Sequence, residues 1–237
     1  MGDGLLTAAG RGSGPGVAEE VLSRTAGSDD PLRYERRFWD RGATHVAGVD
    51  EVGRGPLAGP VVAAAVILEP GVAVDGATDS KALTPAARRE IAAEIRNRAV
   101  AVALGAASVR EIDRFNILRA TARAMTRALD QLAVRPDHVV LDGLPVRDLA
   151  WEHDAVIGGD GLVHSVACAS IVAKVCRDRL MTRLARRYPD YGWQQNMGYA
   201  TRRHREAVQE AGITPHHRTT FGLLQLELPL GDSAQAE

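Results

Sequence analysis

The sequence predicts an α/β protein: a mixed sheet flanked by helices, followed by a helical carboxy-terminal portion. Short aliphatic runs of strand length recur through the first two thirds of the 237 residues. Longer segments with apolar residues at helical spacing separate these runs, and only helical patterns follow residue 165. Strands that alternate with helices are typical of a sheet whose faces are covered by helices.

The first part of the chain is predicted to form a tail, a helix and a hairpin. Residues 1–30 are rich in Gly, Ala and Ser and indicate a flexible tail. Residues 31–42 have helical spacing, and Gly42 suits the end of that helix. Two apolar runs, one from Val46 into Asp50-Glu51 and one over residues 61–68, indicate strands joined by a loop of glycines and prolines.

The middle and the end of the chain alternate between helices and strands. Thr84 is a suitable N-cap, and Pro85 suits the first turn of a helix that reaches about Arg98. The other segments are assigned from their apolar period: strands at residues 100–107, 138–142 and, more weakly, 151–157, and helices at 109–132, 165–188 and 201–211. We therefore predict one domain over residues 31–229, with a loose tail at residues 230–237.

Charge is distributed unevenly, although the formal net charge is only -1. Between residues 165 and 220, ten Lys or Arg stand against four Asp or Glu, so this third of the chain is basic. A basic segment suits a polyanionic partner such as nucleic acid. A solvated helix face is the commoner explanation of a charge run.

No zinc site and no membrane segment are indicated. Cys168 and Cys176 have no zinc spacing and predict free thiols in a reducing compartment. His204, His216 and His217 also match no zinc pattern, so core or phosphate-facing roles are favoured. No apolar run reaches the about 18 residues of a membrane span, and a secretory signal is not indicated. We expect a cytoplasmic monomer.

Four acids at predicted strand ends or next to glycine are candidate metal ligands: Asp50, Glu51, Asp142 and Asp160. Carboxylate oxygens suit Mg²⁺ and Mn²⁺, and two such ions about 3.5–4 Å apart can drive phosphodiester hydrolysis. Because neighbouring side chains on a strand point to opposite faces, we expect the first strand to end or bulge at Asp50-Glu51. For a single strand-end acid, a turn or capping role is the commoner explanation.

Eleven consecutive residues, DEVGRGPLAGP at positions 50–60, resemble the signature of the ribonuclease HII family. The run ASIVAKVCRDR at positions 169–179 and the block GYAT at positions 198–201 resemble further motifs of that family. The resemblance covers about residues 34–221 and implies a ribonuclease H-like catalytic domain over residues 31–229. It also implies that the catalytic and metal-binding residues are the four acids.

The resemblance implies a set of substrate-binding residues: Gly53, Arg54, Gly55, Lys81, Ser170, Lys174 and Tyr199. In the family, the loop that matches residues 53–60, the glycine loop, contacts the ribose 2′-hydroxyl. The tyrosine that matches Tyr199 stacks on the deoxyribose after the ribonucleotide. Each motif also has a structural alternative. The loop can be a tight turn, Tyr199 can pack at a helix start, and Lys174 can pair with Asp178 one helical turn away.

We therefore expect an endoribonuclease that hydrolyses the RNA strand of RNA–DNA hybrids and cuts 5′ of single ribonucleotides embedded in duplex DNA, with two Mg²⁺ or Mn²⁺ ions. Three alternatives stay open: a ribonuclease HIII, disfavoured by the short tail; a hybrid-binding module with weakened catalysis; and a metal phosphatase acting on small substrates. The second follows from departures from the family pattern. Gly158, Leu162 and Asn196-Met197 stand where the family usually has Lys, Lys and His-Lys.

Overall fold

The apolar runs of the sequence form the strands of one mixed sheet. The computed structural model describes residues 30–78 and 80–221. Its strands are, in chain order, β1 (Val46–Val52), β2 (Val61–Leu68), β3 (Ala99–Ala107), β4 (His138–Asp142) and β5 (Asp154–Val156). The sheet order is β3-β2-β1-β4-β5. β2 is antiparallel to β1 and β3, whereas β4 is parallel to β1 and β5, so the predicted mixed α/β sheet is confirmed.

Helices flank the sheet and make up the carboxy-terminal portion. Within the described residues they are α1 (Arg33–Trp39), α2 (Pro85–Arg98), α3 (Val109–Phe115), α4 (Ile117–Asp130), α5 (Gly159–Leu162), α6 (His164–Arg187), α7 (Trp193–Asn196) and α8 (Arg202–Ala211). The Thr84 hydroxyl caps α2 at the predicted position by accepting from the amide of Ala87. None of the helices in this part of the chain is both long and apolar enough to cross a bilayer.

The sheet is covered on both faces. α3 and α4 pack on one face, where Val49 of β1 and Leu129 of α4 share a buried cluster. α2 and α6 pack on the other face, where Val66 of β2 and Ile171 of α6 share a second cluster. Because both faces are buried, β2 is apolar along its whole length.

Two glycines let helices approach the sheet closely. A Cβ at Gly48 of β1 would lie 2.1 Å from the backbone carbon of Ser165 in α6. A Cβ at Gly105 of β3 would lie 2.0 Å from the carbonyl oxygen of Ala124 in α4. Any side chain at either position would push the helix away. The close contact at Gly48 places the first half of α6 directly against β1.

The carboxy-terminal portion packs on the loop between β1 and β2, residues 53–60. Leu57 and Ala58 of this loop share a third buried cluster with Met181 of α6. Ala58 also forms an isolated β-bridge with His217. The glycine loop and the end of the described chain are therefore neighbours in space although they are far apart in sequence.

The expected break in β1 at Asp50-Glu51 is wrong. β1 keeps a regular antiparallel register with β2 through Asp50, Glu51 and Val52, and it ends only after Val52. The two acids therefore point to opposite faces of the sheet. The parallel ladder between β1 and β4 is shorter than the ladder between β1 and β2, and its last pair is Val49 with Leu141. Asp50 and Glu51 therefore lie beyond the last residues that pair with β4.

Several other boundaries differ from the prediction. The single helix expected over 109–132 is two helices, because Asn116 adopts a positive φ of 71° between them. α1 ends at Trp39, before Gly42, and β5 has only three residues. Two segments for which no helix or strand was predicted, residues 158–164 and 189–200, contain α5, a 3-10 turn at Pro189–Tyr191 and α7. The predicted tails, residues 1–30 and 230–237, lie outside the described residues except for Asp30.

Candidate active site

Three of the four acids lie at the ends of two neighbouring parallel strands. Asp50 and Glu51 follow Val49 on β1, and Asp142 follows Leu141 on β4, directly after the last paired residues. The negative charges interact: Glu51 and Asp142 both act on Asp50, and Asp142 acts on Glu51. The carboxyl edge of a parallel strand pair thus gathers three carboxylates that the sequence separates by about ninety residues.

Asp50 is the most buried of these acids, with 7% of its surface exposed. It lies on the α6 side of the sheet, where the Ser170 hydroxyl donates a hydrogen bond to its carboxylate. Burial and the charges of Glu51 and Asp142 raise the pKa of Asp50 to about 7, against the opposing effect of Ser170. Asp50 therefore changes charge near neutral pH.

Glu51 lies on the opposite side, next to the glycine loop. The Arg54 guanidinium donates to its Oε1 over 3.0 Å. Burial raises the pKa of Glu51, and the hydrogen bond and charge of Arg54 oppose that effect. Arg54 therefore compensates part of the negative charge on this face.

Asp142 and Asp160 are linked through the turn that begins α5. The amide of Gly159 donates to Oδ1 of Asp142 over 2.7 Å, and a Cβ at Gly159 would lie 3.4 Å from that oxygen. Asp160 follows Gly159 directly and pairs with the ammonium of Lys81, 3.3 Å from its Oδ2. Asp160 thus comes to the same strand edge, but it is paired with a lysine from the loop before α2.

The four acids fit divalent cations by their chemistry. Within the described residues, no three Asp, Glu, His or Cys side chains meet as a ready-made cation cage. The carboxylates repel one another when no cation lies between them. Each of the four accepts a hydrogen bond from a donor close by. An all-oxygen donor set with a raised pKa at its centre suits Mg²⁺ or Mn²⁺, which relieve that repulsion.

The glycine loop is held by two buried arginines that the sequence analysis did not identify as part of the site. Arg218 donates to the carbonyl oxygens of Gly53, Arg54 and Gly59 over 2.5–3.0 Å. Arg177 is fully buried against the same loop, since a Cβ at Gly53 would lie 2.2 Å from its Nε. Gly53 has a φ of 95°, so both its backbone and this contact require glycine.

Arg177, which lies on α6, holds the glycine loop from the side of that helix. Its guanidinium donates to the carbonyl oxygens of Ala58, Pro60 and Met197 over 2.9–3.1 Å. Burial lowers the pKa of Arg177, and burial together with the charge of Arg177 lowers the pKa of Arg218 to about 9. The only sequence signal for this support was the motif run at positions 169–179, which contains Arg177.

Tyr199 lies beside the loop and is partly exposed. The residue has 47% of its surface exposed, and a Cβ at Gly55 would lie 3.7 Å from its ring atom Cε1. The carbonyl of Gly198 accepts from the amide of Leu57 over 2.8 Å, which fixes the tyrosine segment to the loop. The structure thus brings the predicted loop and the predicted tyrosine together.

The chain matches known proteins over most of its length. The sequence model of the family Ribonuclease HII matches residues 47–223. The ribonuclease HII of Thermosynechococcus vestitus is 51% identical over 210 residues, which are 87% of this chain and 98% of that protein.

The chain belongs to the ribonuclease HII family.

Solved structures agree with this assignment. The ribonuclease H2 of Pyrococcus horikoshii OT3 superposes with a TM-score of 0.68 at 28% identity and covers 77% of this chain and 97% of that one. Bst-RNase HIII in complex with Mn²⁺ has a TM-score of 0.64 at 20% identity, over 89% of this chain and 80% of that one, and shows the fold alone. As a ribonuclease HII, the chain is a metal-dependent endoribonuclease of the ribonuclease H class, which acts on the RNA strand of RNA–DNA hybrids.

The other predicted substrate residues of this ribonuclease HII surround the Asp50 side of the site. Ser170 contacts Ser80, with 3.0 Å between the two hydroxyl oxygens. Lys174 donates to Oδ1 of Asp178 over 2.6 Å, so the helical ion pair considered as its alternative does form. Arg88 contacts the other oxygen of Asp178 at 3.4 Å, a partner that the sequence analysis missed.

The basic segment, residues 165–220, offers fewer exposed and unpaired Lys and Arg side chains than its composition suggests. Arg177 and Arg218 are fully buried and serve the loop. Lys174 pairs with Asp178, and Arg202 pairs with Glu206 over 2.6 Å. The excess of Lys and Arg therefore overstates the positive surface that this ribonuclease HII offers to nucleic acid.

A cavity of about 630 Å³ opens beside the acids, on the α4 side of the sheet. Glu51 and Asp142 line it together with Met125 of α4 and Leu144, which is 72% exposed at its rim. Thr121, also in its lining, is only 4% exposed, and its hydroxyl has no hydrogen-bond partner among the described residues. The candidate site thus opens into a cleft with an acidic edge and an apolar wall.

Proposed function

We propose that this enzyme cuts the RNA strand of RNA–DNA hybrids and also cuts 5′ of single ribonucleotides embedded in duplex DNA, leaving 3′-hydroxyl and 5′-phosphate ends. The observation that carries this proposal is the meeting of three charge-coupled acids with the glycine loop and Tyr199. Acids alone would serve any metal-dependent phosphodiester or phosphate hydrolase. The loop and the exposed tyrosine add the means to recognise a sugar.

In this proposal, two divalent cations are held by Asp50, Glu51, Asp142 and Asp160. The donor set supports Mg²⁺ or Mn²⁺, and the related fold of Bst-RNase HIII is known in complex with Mn²⁺. Such ions, when bound, activate a water molecule and stabilise the charge on the leaving oxygen. The hydrogen bond from Ser170 orients the Asp50 carboxylate and favours its ionised form against the effect of burial.

The loop and the tyrosine select the scissile position. Backbone N–H groups of Gly53-Arg54-Gly55 contact the 2′-hydroxyl, the group that distinguishes RNA from DNA at a sugar. Tyr199 stacks on the deoxyribose that follows the ribonucleotide. The buried arginines support both roles, because they hold the loop carbonyls and leave the loop little freedom to adapt to a wrong sugar.

The two lysines neutralise substrate phosphates near the acids. Lys81 has 77% of its side chain exposed next to Asp160, and Lys174 is oriented by Asp178. We also propose that the protein acts as a cytoplasmic monomer. The free thiols of Cys168 and Cys176 support a reducing compartment.

Asp142→Asn tests the proposed site. The variant should bind a duplex with one ribonucleotide but cleave it at least about 100-fold more slowly in Mg²⁺, because it loses a charged cation ligand. Gel-based cleavage and a binding titration measure the two effects, and the 5′ position of the cut is read from the product length. Asp137→Asn is the matched control, since Asp137 precedes β4 at the opposite end of the strand. Unchanged cleavage by Asp142→Asn would remove this acid from the site.

A further inference from the structure

Two buried histidines lie next to each other behind Tyr199, outside the acid cluster. His204 of α8 is fully buried and His217 is 2% exposed, and their Nε2 atoms are 3.0 Å apart. Neither was given a specific role from the sequence. Their hydrogen bonds to the surrounding backbone fix which nitrogen of each ring carries a proton.

The direction of each hydrogen bond follows from its partner. The carbonyl of Tyr199 can only accept, so Nδ1–H of His204 donates to it over 2.8 Å. The amide of Thr214 can only donate, so Nδ1 of His217 accepts from it over 2.9 Å. His204 then has a bare Nε2, and Nε2–H of His217 donates to it. A single chain of hydrogen bonds, the histidine relay, therefore runs from Thr214 through His217 and His204 to Tyr199.

The surroundings keep both rings neutral. Trp193 Nε1–H also donates to Nε2 of His204 over 3.0 Å, so a proton on that nitrogen would face two donors. Burial lowers the pKa of His204, and burial together with the nearby histidines lowers the pKa of His217 to about 4. At neutral pH the relay has one consistent arrangement of protons.

The relay connects to the substrate-reading surface at Tyr199 and, through the neighbour of His217, at the glycine loop. Tyr199, at one end, stands 3.7 Å from the position of a Cβ on Gly55. His217 is followed by Arg218, which binds the carbonyls of Gly53 and Arg54. The dipeptide His217-Arg218 thus holds the glycine loop directly through Arg218 and connects to the backbone of Tyr199 indirectly, through His204.

We propose that His204 and His217 are positioning residues that set the distance between Tyr199 and the glycine loop, and so determine how strongly the enzyme prefers a junction between a ribonucleotide and a deoxyribonucleotide. This inference rests on the proposed roles of Tyr199 and the loop. Neither histidine touches the substrate. A purely structural pair would change stability but not the choice between substrates.

Two amide substitutions at one position separate these possibilities. In His204→Asn the amide nitrogen takes the place of Nδ1 and still donates to the carbonyl of Tyr199. In His204→Gln the amide reaches the Nε2 position, and the bond to Tyr199 is lost. The readout is the ratio of kcat/KM on a duplex with one ribonucleotide to kcat/KM on a continuous RNA–DNA hybrid. Thermal unfolding of both variants gives the stability comparison.

We expect His204→Gln to lower this ratio about five-fold, the value of one ordinary hydrogen bond, and His204→Asn to leave it within about two-fold. His217→Asn keeps an acceptor for the Thr214 amide but loses the donor to His204, so it should lower the ratio in the same direction as His204→Gln. In a Tyr199→Ala background, His204→Gln should cause no further fall in the ratio.

The outcomes distinguish the two levels of the proposal. If Tyr199→Ala lowers the ratio but His204→Gln and His217→Asn do not, the relay is overturned and the role of Tyr199 stands. If His204→Asn and His204→Gln lower the ratio equally, the bond to Tyr199 is not what matters and the relay is overturned. If Tyr199→Ala itself leaves the ratio unchanged, the proposed role of Tyr199 fails and the relay fails with it.

Discussion

Asp50 shows at the scale of one residue how bringing carboxylates together lowers the stability of the fold. It is buried beside two other carboxylates, and its pKa rises to about 7. Between its usual pKa and about 7, the folded chain holds a proton that the unfolded chain has lost. The stability contributed by that proton is complete at low pH and is lost as the pH rises through about 7. Ionised Asp50 therefore costs folding free energy that a bound cation can recover.

Asp50→Asn should make the metal-free protein more stable above pH 7. We expect the free energy of unfolding at pH 8 in EDTA to rise by about 1–3 kcal/mol, and the gain to shrink toward pH 5. Mg²⁺ should raise the melting temperature of the parent but not that of the variant. Chemical unfolding at several pH values measures the first effect. A gain that is larger at pH 5 than at pH 8 would contradict the pKa argument.

Asp137→Asn is a control for which the expected change in stability at neutral pH has the opposite sign. Backbone amides of Thr44 and His45 donate to Asp137 and lower its pKa, so its ionised form stabilises the fold. That stabilisation is present above its usual pKa and is lost as the pH falls. The variant should therefore be less stable than the parent at neutral pH, where Asp50→Asn is more stable.

Elements with local signals were predictable, and elements set by a single unusual residue were not. Thr84 and Pro85 mark the start of α2 by their own chemistry, and the helix begins there. The apolar stripe over 109–132 predicted one helix because residues on both sides of Asn116 keep helical spacing. A positive φ at one residue changes the direction of the chain without changing composition, so the stripe could not reveal the break.

Substitutions of Asn116 should separate the stability that its side-chain cap contributes from the strain of its positive φ. Its amide ends α3 by donating to Ile112, and its Oδ1 begins α4 by accepting from the amide of Arg119. Asn116→Ala keeps the unfavourable φ and loses the cap, so we expect a loss of about 1–2 kcal/mol.

Asn116→Gly is the matched comparison. It also loses the side-chain cap, but glycine adopts the positive φ without strain, so stability should stay close to that of the parent. Urea unfolding of the three proteins measures the difference. Equal losses in Ala and Gly would show that the backbone angle costs nothing here.

At the scale of the whole molecule, the site is assembled from parts that are distant in sequence. The acids, the glycine loop and Tyr199 were predicted from motifs, because each motif combines unusual residues in a short run. The buried roles of Arg177 and Arg218 could not be inferred, since an arginine in a basic segment is usually solvated and composition cannot show which one is inside. The same limit applies to His204 and His217, whose hydrogen bonds depend on tertiary contacts.

Arg218→Lys tests whether these arginines hold the molecule together. Lysine cannot reach three carbonyls at once, so the buried oxygens of Gly53, Arg54 and Gly59 would lose donors. We expect a loss of about 2–4 kcal/mol in the free energy of unfolding, with a parallel fall in cleavage. Arg202→Lys is the control, because Arg202 is exposed and should be neutral. Lost cleavage without lost stability would instead indicate that Arg218 acts on the substrate.

The position of β1 in the middle of the sheet has a consequence for how the acids move. β1 is bonded to β2 on one side and to β4 on the other, and Asp50 and Glu51 lie in its regular ladder with β2. Amide protons bonded in the β1–β2 ladder should therefore exchange with deuterium only when the whole domain opens, whereas those of β5, a three-residue edge strand, should exchange far sooner. The amide of Glu51 lies outside this set, because it donates to the carboxylate of Asp50. The strand that carries the candidate acids should thus be as long-lived as the native state itself, so the proposed site would need no ordering step before substrate binds.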